Sequence, residues 1–321
     1  MSKAAKIWLI TAASLVLIGC IIFGGVMSML KWDFTKLSTS RYETNNYEIN
    51  KNYSNISIIT DTADIVFVFS DDKQCSVECY ERENAKHSVT VKDGTLVIAV
   101  DYSGKWYENI GINFGTPKIT VYIPQGEYGG LSVKSSTGDV EIPKGLNFTS
   151  IDISENTGDV TCYASALEDI KIKTTTGDIL VKDVSSSLLD LSVSTGKVTV
   201  SDVRCEGDVK VRVSTGKANL ADISCKNLIS SGNTGDISLR NVIASEKISI
   251  KRSTGDVKFD DSDAAEIFVQ TDTGNVTGTL LSEKVFIAKT DTGRVNVPNS
   301  ISGGRCEIIT DTGDIKINIK Q

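Results

Sequence analysis

Carboxylates recur at a fixed position in this 321-residue sequence, and repeated acids are the first residues to consider for chemistry. Five residues, each six positions after the glycine of a Thr-Gly pair, form what we name the carboxylate column: Asp183, Asp202, Asp222, Asn241 and Asp261. Acids stacked in this way repel one another unless water or a cation separates their charges. Calcium prefers several carboxylate and carbonyl oxygens, so a calcium ladder is one hypothesis. The other is that Asp and Asn stabilise turns and point into water, and the nonapeptide typical of calcium-binding repeats is absent.

A second set of residues, named here the corner column, directly follows the glycines and mixes both signs of charge. Its members are Asp139, Asp159, Asp178, Lys197, Lys217, Asp236, Asp256, Asn275, Arg294 and Asp314. The three basic residues interrupt any row of anions, so this column predicts turn support rather than ligand binding. The threonine before each glycine could form an ice-binding array, or more simply a ladder of hydroxyls bonded to backbone.

The sequence offers little for catalysis. Enzymatic cleavage of polysaccharides, which some β-helical proteins perform, needs acids and bases converging on a cleft built by long loops. The only histidine, His87, is interpreted as a surface residue. One longer aromatic-rich stretch, residues 101–116, contains Trp106, Tyr107 and Phe114 and is either a recognition loop or an aromatic plug. We therefore predict a non-catalytic protein without catalytic residues, cofactor or resident metal.

The seven cysteines do not form a disulfide framework. Cys75 and Cys79 would lie about 13 Å apart in a straight strand, too far for a disulfide. Cys205 and Cys225 occupy the same position in successive repeats, about 4.8 Å apart, so a disulfide between them stays open. Cys162 and Cys306 fall at inward apolar positions and are predicted to be small core residues.

The N-terminal segment differs in composition from the rest of the chain. An uncharged run over residues 7–30 would form a helix of about 36 Å, enough to cross a hydrocarbon core of about 30 Å. We predict a cytoplasmic tail over 1–6, a transmembrane anchor over 7–30 and a linker over 31–41. A cleaved signal peptide is one alternative, and a lipoprotein with lipid on Cys20 is another, although the sequence stays apolar after Cys20. Flanking lysines are nearly balanced, and the favoured orientation is single-pass with the large domain outside the cell membrane.

A repeat of 19 or 20 residues dominates the remainder of the sequence. Its glycines are Gly138, Gly158, Gly177, Gly196, Gly216, Gly235, Gly255, Gly274, Gly293 and Gly313. Apolar pairs spaced by two residues flank each glycine, which is typical of strands. A unit this small cannot bury its apolar face unless it stacks on its neighbours. We therefore predict an all-β, single-strand parallel β-solenoid of about ten coils over residues 131–321, a rod on the order of 50 Å long.

Residues 42–130 are less regular and are predicted to form an irregular β cap with atypical first coils. The segment Asp61-Thr62-Ala63-Asp64 looks like a degraded copy of the corner, with Ala63 in place of the glycine. At the other end the sequence stops directly after a strand. We therefore predict that the C-terminal edge strand, within residues 305–321, could mediate self-association or accept a partner's strand.

The motifs Ser135-Ser136-Thr137-Gly138-Asp139-Val140 and Thr310-Asp311-Thr312-Gly313-Asp314-Ile315, preceded by a membrane segment, resemble the bacterial putative-adhesin family, also called Toastrack. The resemblance implies a non-catalytic β-strand-repeat domain of the cell envelope, sometimes associated with envelope-stress signalling, and it brings no catalytic residues. The first hypothesis is thus a binding, adhesin-like or structural module with a protein or envelope component as partner. The alternatives are an accessory protein in envelope-stress signalling that acts through a membrane partner, and a polysaccharide-acting enzyme. A net charge of −7 with interleaved acids and bases disfavours nucleic-acid binding.

Overall fold

The N-terminal helix is the only α-helix in the part of the chain that the computed structural model describes, residues 2–37, 41–70, 74–101 and 115–320. Helix α1 spans Lys3–Met29, 27 residues or about 40 Å, and Ser2 caps it by accepting a hydrogen bond from the Ala5 N–H at 3.2 Å. Apolar side chains are exposed on all of its faces, and the helix is long and apolar enough to cross a membrane. The predicted N-terminal apolar helix is confirmed. A 3-10 turn, Phe34–Leu37, follows.

All the other regular elements of the described residues are strands. The first nine are β1 Tyr42–Ile49, β2 Asn55–Ile59, β3 Asp64–Phe69, β4 Cys75–Arg82, β5 Lys86–Lys92, β6 Thr95–Asp101, β7 Lys118–Ile123, β8 Glu127–Thr137 and β9 Val140–Ile142. The next nine are β10 Asn147–Thr157, β11 Val160–Cys162, β12 Ser165–Ala166, β13 Asp169–Thr176, β14 Ile179–Lys182, β15 Ser185–Ser186, β16 Leu188–Thr195, β17 Val198–Cys205 and β18 Asp208–Thr215. The last eight are β19 Ala218–Thr234, β20 Ile237–Thr254, β21 Val257–Thr273, β22 Val276–Leu280, β23 Lys284–Thr292, β24 Val295–Asn296, β25 Gly304–Thr312 and β26 Ile315–Ile319.

These strands stack as a parallel solenoid, which confirms the predicted fold class. Each coil has one strand before its corner and one after it, and both pair in register with the next coil. Ile151, for example, pairs with Leu131 of the preceding coil and with Ile170 of the following one. The predicted division between cap and regular repeats at residue 130 stays a prediction, since β8 already begins at Glu127.

The inward side chains of successive coils form one continuous apolar core. Strands alternate buried and exposed residues, as the spacing of two in the sequence predicts. Ile170, Ile172 and their counterparts in the other inner coils are buried, whereas Phe286 and Ala288 of the outermost coil are only partly buried. Cys162 and Cys306 are fully buried as well, which confirms that they are core residues.

The Thr-Gly corners stack through the backbone. Every corner glycine except Gly293, which belongs to the outermost coil, donates its N–H to the carbonyl oxygen of the corner threonine in the next coil in space, at 2.7–3.1 Å. Every one of these glycines has a positive φ, between 124° and 158°. A Cβ atom at any of them would lie only 1.8–2.1 Å from the corner carbonyl oxygen of the preceding coil. Both the dihedral angle and the contact therefore require glycine at this position.

The order of coils at both ends of the rod differs from the order of the sequence. At the N-terminal end the coil formed by β2 and β3 lies between the coil of β6 and β7 and the coil of β8 and β9. At the other end the coil formed by β25 and β26 lies between the coil of β21 and β22 and the coil of β23 and β24. The last coil in space is therefore the second-last in the chain.

This order corrects the prediction that the C-terminal strand is the edge of the stack. Strand β25 pairs with β21 on one side and β23 on the other, and β26 pairs with β22 and, at two residues, with β24. The physical reason is that the chain leaves the space of one coil between β22 and β23, and the connector between Asn296 and Gly304 returns it to that space, so β25 and β26 gain partners on both sides. We name the outermost strands, β23 and β24, the distal edge.

Antiparallel strands cover the N-terminal end of the stack. Strand β4 pairs antiparallel with β7, β1 pairs antiparallel with β4, and β5 pairs antiparallel with β6. The degraded corner predicted around Ala63 is confirmed, because its N–H donates to the Thr137 carbonyl oxygen at 3.0 Å. Asp64 continues the pattern, since its Oδ1 accepts from the Asp139 N–H at 3.0 Å.

We expect Gly235→Ala to lower the stability of the detergent-solubilised chain by about 2–5 kcal/mol, because it combines a strained φ with overpacking. Gly235 has φ 124°, and its Cβ would lie 1.8 Å from the Gly216 carbonyl oxygen. Chemical denaturation measures the change. Gly126→Ala is the control, since no atom lies within 4 Å of a Cβ there, and an equal loss in both variants would contradict the corner model.

Candidate functional site

The carboxylate column owes its residue types to the backbone. All five members have a left-handed conformation, with φ between 51° and 58°. Asp and Asn tolerate this conformation better than other residues with a side chain, because their short polar groups form local hydrogen bonds. Their spacing therefore marks the second turn of five successive coils, where the chain bends into the connector.

The charges of the carboxylate column are largely balanced by basic side chains of the same chain. Lys144 Nζ lies 3.4 Å from Asp183 Oδ2, and Lys320 forms an ion pair with Asp261. Asp222 accepts a hydrogen bond from the Asn241 amide at 2.9 Å. Among the described residues, no three carboxylates of this column bring their oxygens within 4.8 Å of one another. This geometry favours the turn interpretation over the calcium ladder.

The corner column links neighbouring coils. A carboxylate or amide Oδ1 of one coil accepts the backbone N–H of the corner residue in the next, as from Asp159 N to Asp139 Oδ1 at 2.8 Å and from Asp178 N to Asp159 Oδ1 at 2.7 Å. A hydrogen bond from the Lys217 side chain is the largest cause that lowers the pKa of the Asp236 carboxyl, and one from the Asp256 backbone N–H is the next largest. The acids of this column are thus hydrogen-bond acceptors that hold the stack together.

A third column, three residues before the corner glycines, points inward and contains two charged residues. In most coils it holds a threonine or valine, and Thr174 Oγ1, for instance, donates to the Gly158 carbonyl oxygen at 3.3 Å. Glu155 occupies this position and is only 2% exposed. Burial raises the pKa of Glu155 from about 4.5 to about 8, so the side chain is mostly protonated at neutral pH.

In four successive coils this inward column holds Val193, Val213, Gly232 and Arg252. Arg252 is 3% exposed. Its guanidinium extends across Gly232, and Nη1 donates to the Val213 carbonyl oxygen at 3.0 Å. A Cβ at Gly232 would lie 2.0 Å from Nη1, so this glycine makes room for the arginine one coil away. Sequence reasoning missed the pair, although a glycine outside the corners followed one repeat later by an arginine was a visible signal.

The cap contains a buried polar cluster, named here the cap cluster, of Thr60, Cys79, Glu81 and His87. The interpretation of His87 as a surface residue is wrong, since it is 4% exposed, and Glu81 is fully buried. His87 Nδ1 lies 2.7 Å from Glu81 Oε2, and Nε2 lies 2.9 Å from Thr60 Oγ1. Strand β4 places Glu81 inward and the following turn brings His87 back beside it, a contact that strand alternation alone does not reveal.

Aromatic side chains line a shallow groove beside the first regular coils. The rings of Tyr53 and Tyr128 stack at 6.3 Å, and those of Tyr128 and Phe148 lie 5.8 Å apart. Leu167, 75% exposed, forms the rim. The predicted recognition loop with Trp106, Tyr107 and Phe114 lies outside the described residues.

The distal edge combines an unpaired strand with exposed apolar side chains. Within the described chain, β23 pairs only with β25, and β24 pairs only with β26. Val285, Ile287 and Val295 on these strands are 38%, 48% and 45% exposed. The edge thus presents free backbone groups next to an apolar surface, an arrangement suited to pairing with another strand.

All seven cysteines are free. Cys205 and Cys225 are both buried, and the Cys205 thiol donates to the Ser187 carbonyl oxygen at 3.4 Å instead of forming a disulfide with Cys225. Cys20 is exposed on helix α1. Burial is the largest cause that raises the pKa of Cys225 to about 12, so this thiol is protonated at neutral pH.

Comparison with known proteins identifies similar sequences and folds. The family model described as Toastrack DUF4097 matches residues 53–212 and residues 204–321. A solved structure titled "putative adhesin" from Bacteroides fragilis is 21% identical, with 87% of this chain and 97% of that chain covered and a TM-score of 0.44. One titled "putative lipid binding protein" from Parabacteroides distasonis is 17% identical, with coverage of 88% and 98% and a TM-score of 0.49. No curated protein matches the chain.

For the carboxylate column we expect Asp202→Asn to change stability by less than about 0.5 kcal/mol and Asp202→Val to cost about 1–2 kcal/mol, because only Asn tolerates the left-handed turn. Denaturation of the solubilised chain, with and without calcium chloride, measures both effects. A calcium-dependent gain in the parent chain that Asp202→Asn removes would instead support the calcium ladder.

For Glu155 we expect stability to fall as pH rises. The folded chain holds a proton on this carboxyl up to about pH 8, whereas the unfolded chain releases it near pH 4.5, so the folded state loses its advantage between these values. Glu155→Gln should reduce this pH dependence, measured as the unfolding midpoint at about pH 5 and pH 9. Glu141→Gln, at an exposed position of β9, is the control and should retain the dependence of the parent chain.

Proposed function

Because the chain belongs to the Toastrack DUF4097 family, we propose that it is a non-catalytic, membrane-anchored module of the cell envelope that binds a protein partner through its distal edge. The observation that carries this proposal is the asymmetry of the rod. Antiparallel strands follow the parallel stack at the N-terminal end, whereas the other end finishes on a parallel strand with one unpaired side.

Strand addition is the binding mode that this edge supports best. An extended segment of a partner can pair with the free backbone groups of β23, while pockets for alternate side chains provide specificity. Val285 and Ile287 lie two residues apart and so point to the same side of the strand. A partner strand with apolar residues at the same spacing would bury both of them.

Membrane attachment is the second part of the proposal. Helix α1 exposes large apolar side chains such as Ile7, Trp8 and Leu17, each more than 60% exposed. The hydrocarbon core of a membrane would bury these side chains. Tethering by α1 at the N-terminal end, with the large domain outside the membrane, would leave the distal edge free to meet a partner.

Absence of catalysis is the third part. Catalytic acids and bases must reach a substrate in a cleft. The acids of the carboxylate and corner columns instead support turns and corners, and His87 is buried in the cap cluster. These features support a binding or structural role over that of a polysaccharide-acting enzyme.

An accessory role in envelope-stress signalling is the second candidate, and the exposed apolar surface of α1 favours it. In that case the helix itself would contact a membrane partner, since side chains on all its faces are available for packing against another helix. The distal edge would then contribute little to the interaction.

To separate the two candidates, a photo-crosslinking residue is placed at Ile287, at Leu167 or at Ile18 of the full chain in intact cells. The first proposal expects one defined protein crosslinked from Ile287 and none of it from Leu167, an exposed position away from the edge. Crosslinks from Ile18 alone would support the signalling role.

The captured protein is then purified and its binding to the detergent-solubilised chain is measured. We expect Ile287→Lys to weaken binding by about 10-fold or more, because a charge on an edge strand opposes strand pairing. Leu167→Lys should bind like the parent chain. Equal binding by both variants would contradict an edge-mediated contact.

A further inference from the structure

The cap cluster brings three different metal-ligating side chains together. Cys79 and Glu81 stand two residues apart on β4, so both point into the cap. A tight turn then returns the chain, and His87, the second residue of β5, lies beside them. All three are buried, with Cys79 and Glu81 at 0% and His87 at 4% exposure. The side chains of a cysteine, a glutamate and a histidine are thus enclosed together in the otherwise apolar cap.

The distances between these side chains fit a shared ion. One ligand atom each from Cys79, Glu81 and His87 lies within 4.8 Å of the other two, and no other group of three in the described chain meets this condition. Zinc bonds of about 2.0–2.3 Å to N, O and S place tetrahedral ligand atoms about 3–4 Å from one another. Small side-chain adjustments would therefore bring all three atoms into coordination range. We propose that Cys79, Glu81 and His87 bind a zinc ion.

The outer hydrogen bonds of such a site already exist. Glu81 Oε1 accepts from the Asn45 amide at 2.7 Å, and Oε2 accepts the His87 backbone N–H at 2.6 Å and faces the His87 ring. His87 Nε2 lies 2.9 Å from Thr60 Oγ1. If Nδ1 binds the ion, the ring proton moves to Nε2 and donates to the Thr60 hydroxyl. Metal-binding histidines are usually held by a hydrogen bond of this kind at their other nitrogen.

Charge balance favours a divalent ion at this buried position. A thiolate and a carboxylate together carry two negative charges, which one zinc ion neutralises, so the occupied site would add no net charge to the apolar cap. The thiolate also selects zinc over magnesium and calcium, which prefer oxygen ligands. Binding releases the thiol proton, whereas the neutral imidazole keeps its one proton, at Nε2. Three protein ligands leave the fourth position for a water molecule.

A zinc ion here would fasten the cap to the solenoid. Its ligands lie on β4 and β5, and their outer partners, Asn45 and Thr60, lie on β1 and directly after β2. One ion would thus connect four segments of the cap, which is the end of the rod nearest in sequence to the membrane helix. The competing explanation is a metal-free Glu81–His87 hydrogen bond with a purely structural role.

The test uses the full detergent-solubilised chain, stripped with a chelator and titrated with zinc in competition with a chromogenic chelator. We expect one tightly bound ion per chain and a higher unfolding midpoint with zinc, because an ion that binds only the folded state stabilises it. Cobalt in place of zinc should produce the near-ultraviolet charge-transfer band of a thiolate ligand.

Variants assign the site. Cys79→Ala and His87→Gln should each weaken zinc binding by on the order of 100-fold, and Thr60→Val by about 10-fold through the lost outer hydrogen bond. Cys75→Ala is the matched control, a buried cysteine on the same face of β4, and it should bind zinc like the parent chain.

The proposal fails if the parent chain binds no zinc, or if Cys79→Ala binds zinc and shows the cobalt band as strongly as Cys75→Ala. Unfolding midpoints in chelator identify any variant that does not fold. If Cys79→Ala or His87→Gln does not fold, the titrations of the parent chain and of Cys75→Ala decide whether the zinc site exists, since both must bind one ion and show the thiolate band.

Discussion

The contact on which the whole rod depends is that between the corner glycines of successive coils. The carbonyl oxygen of one glycine occupies the space where a Cβ of the next would stand, about 2 Å away. This close approach lets the glycine N–H reach the threonine carbonyl of the following coil. A coil cannot shift by one residue without placing a side chain in that space, so the corner fixes the register of both flanking strands.

The arrangement of charge follows from this constraint. Once the corners are in register, a corner acid lies beside the backbone N–H of its neighbour, and in five successive coils the residue at the second turn adopts a left-handed conformation. Rows of carboxylates on a solenoid resemble ligand sites, yet most of these serve the backbone. Any distinctive chemistry must therefore be sought where the repeat is interrupted, at Gly232 and Arg252, at Glu155 and above all at the two ends.

The two ends of the rod differ in how they terminate the sheet. The cap places antiparallel strands over the stack and encloses the buried cluster of Glu81 and His87. The distal edge leaves one side of β23 unpaired beside apolar side chains. An end that is closed around a buried polar cluster suits a structural site, whereas an open apolar edge suits a partner. Binding and attachment would thus lie at opposite ends of a rigid spacer.

Periodicity in the sequence by itself determined the solenoid, the corner at Gly138 and its equivalents, the degraded corner at Ala63 and the inward cysteines, because these depend on local alternation and a constant repeat length. Only the tertiary structure decided the order of the end coils, the identity of the distal edge and the burial of His87. The physical reason is that a coil has the same alternation wherever it stands in the stack, so exchanging β25 and β26 with β23 and β24 leaves the pattern unchanged. Likewise, a histidine in a strand carries no sign of which residue the turn will bring beside it.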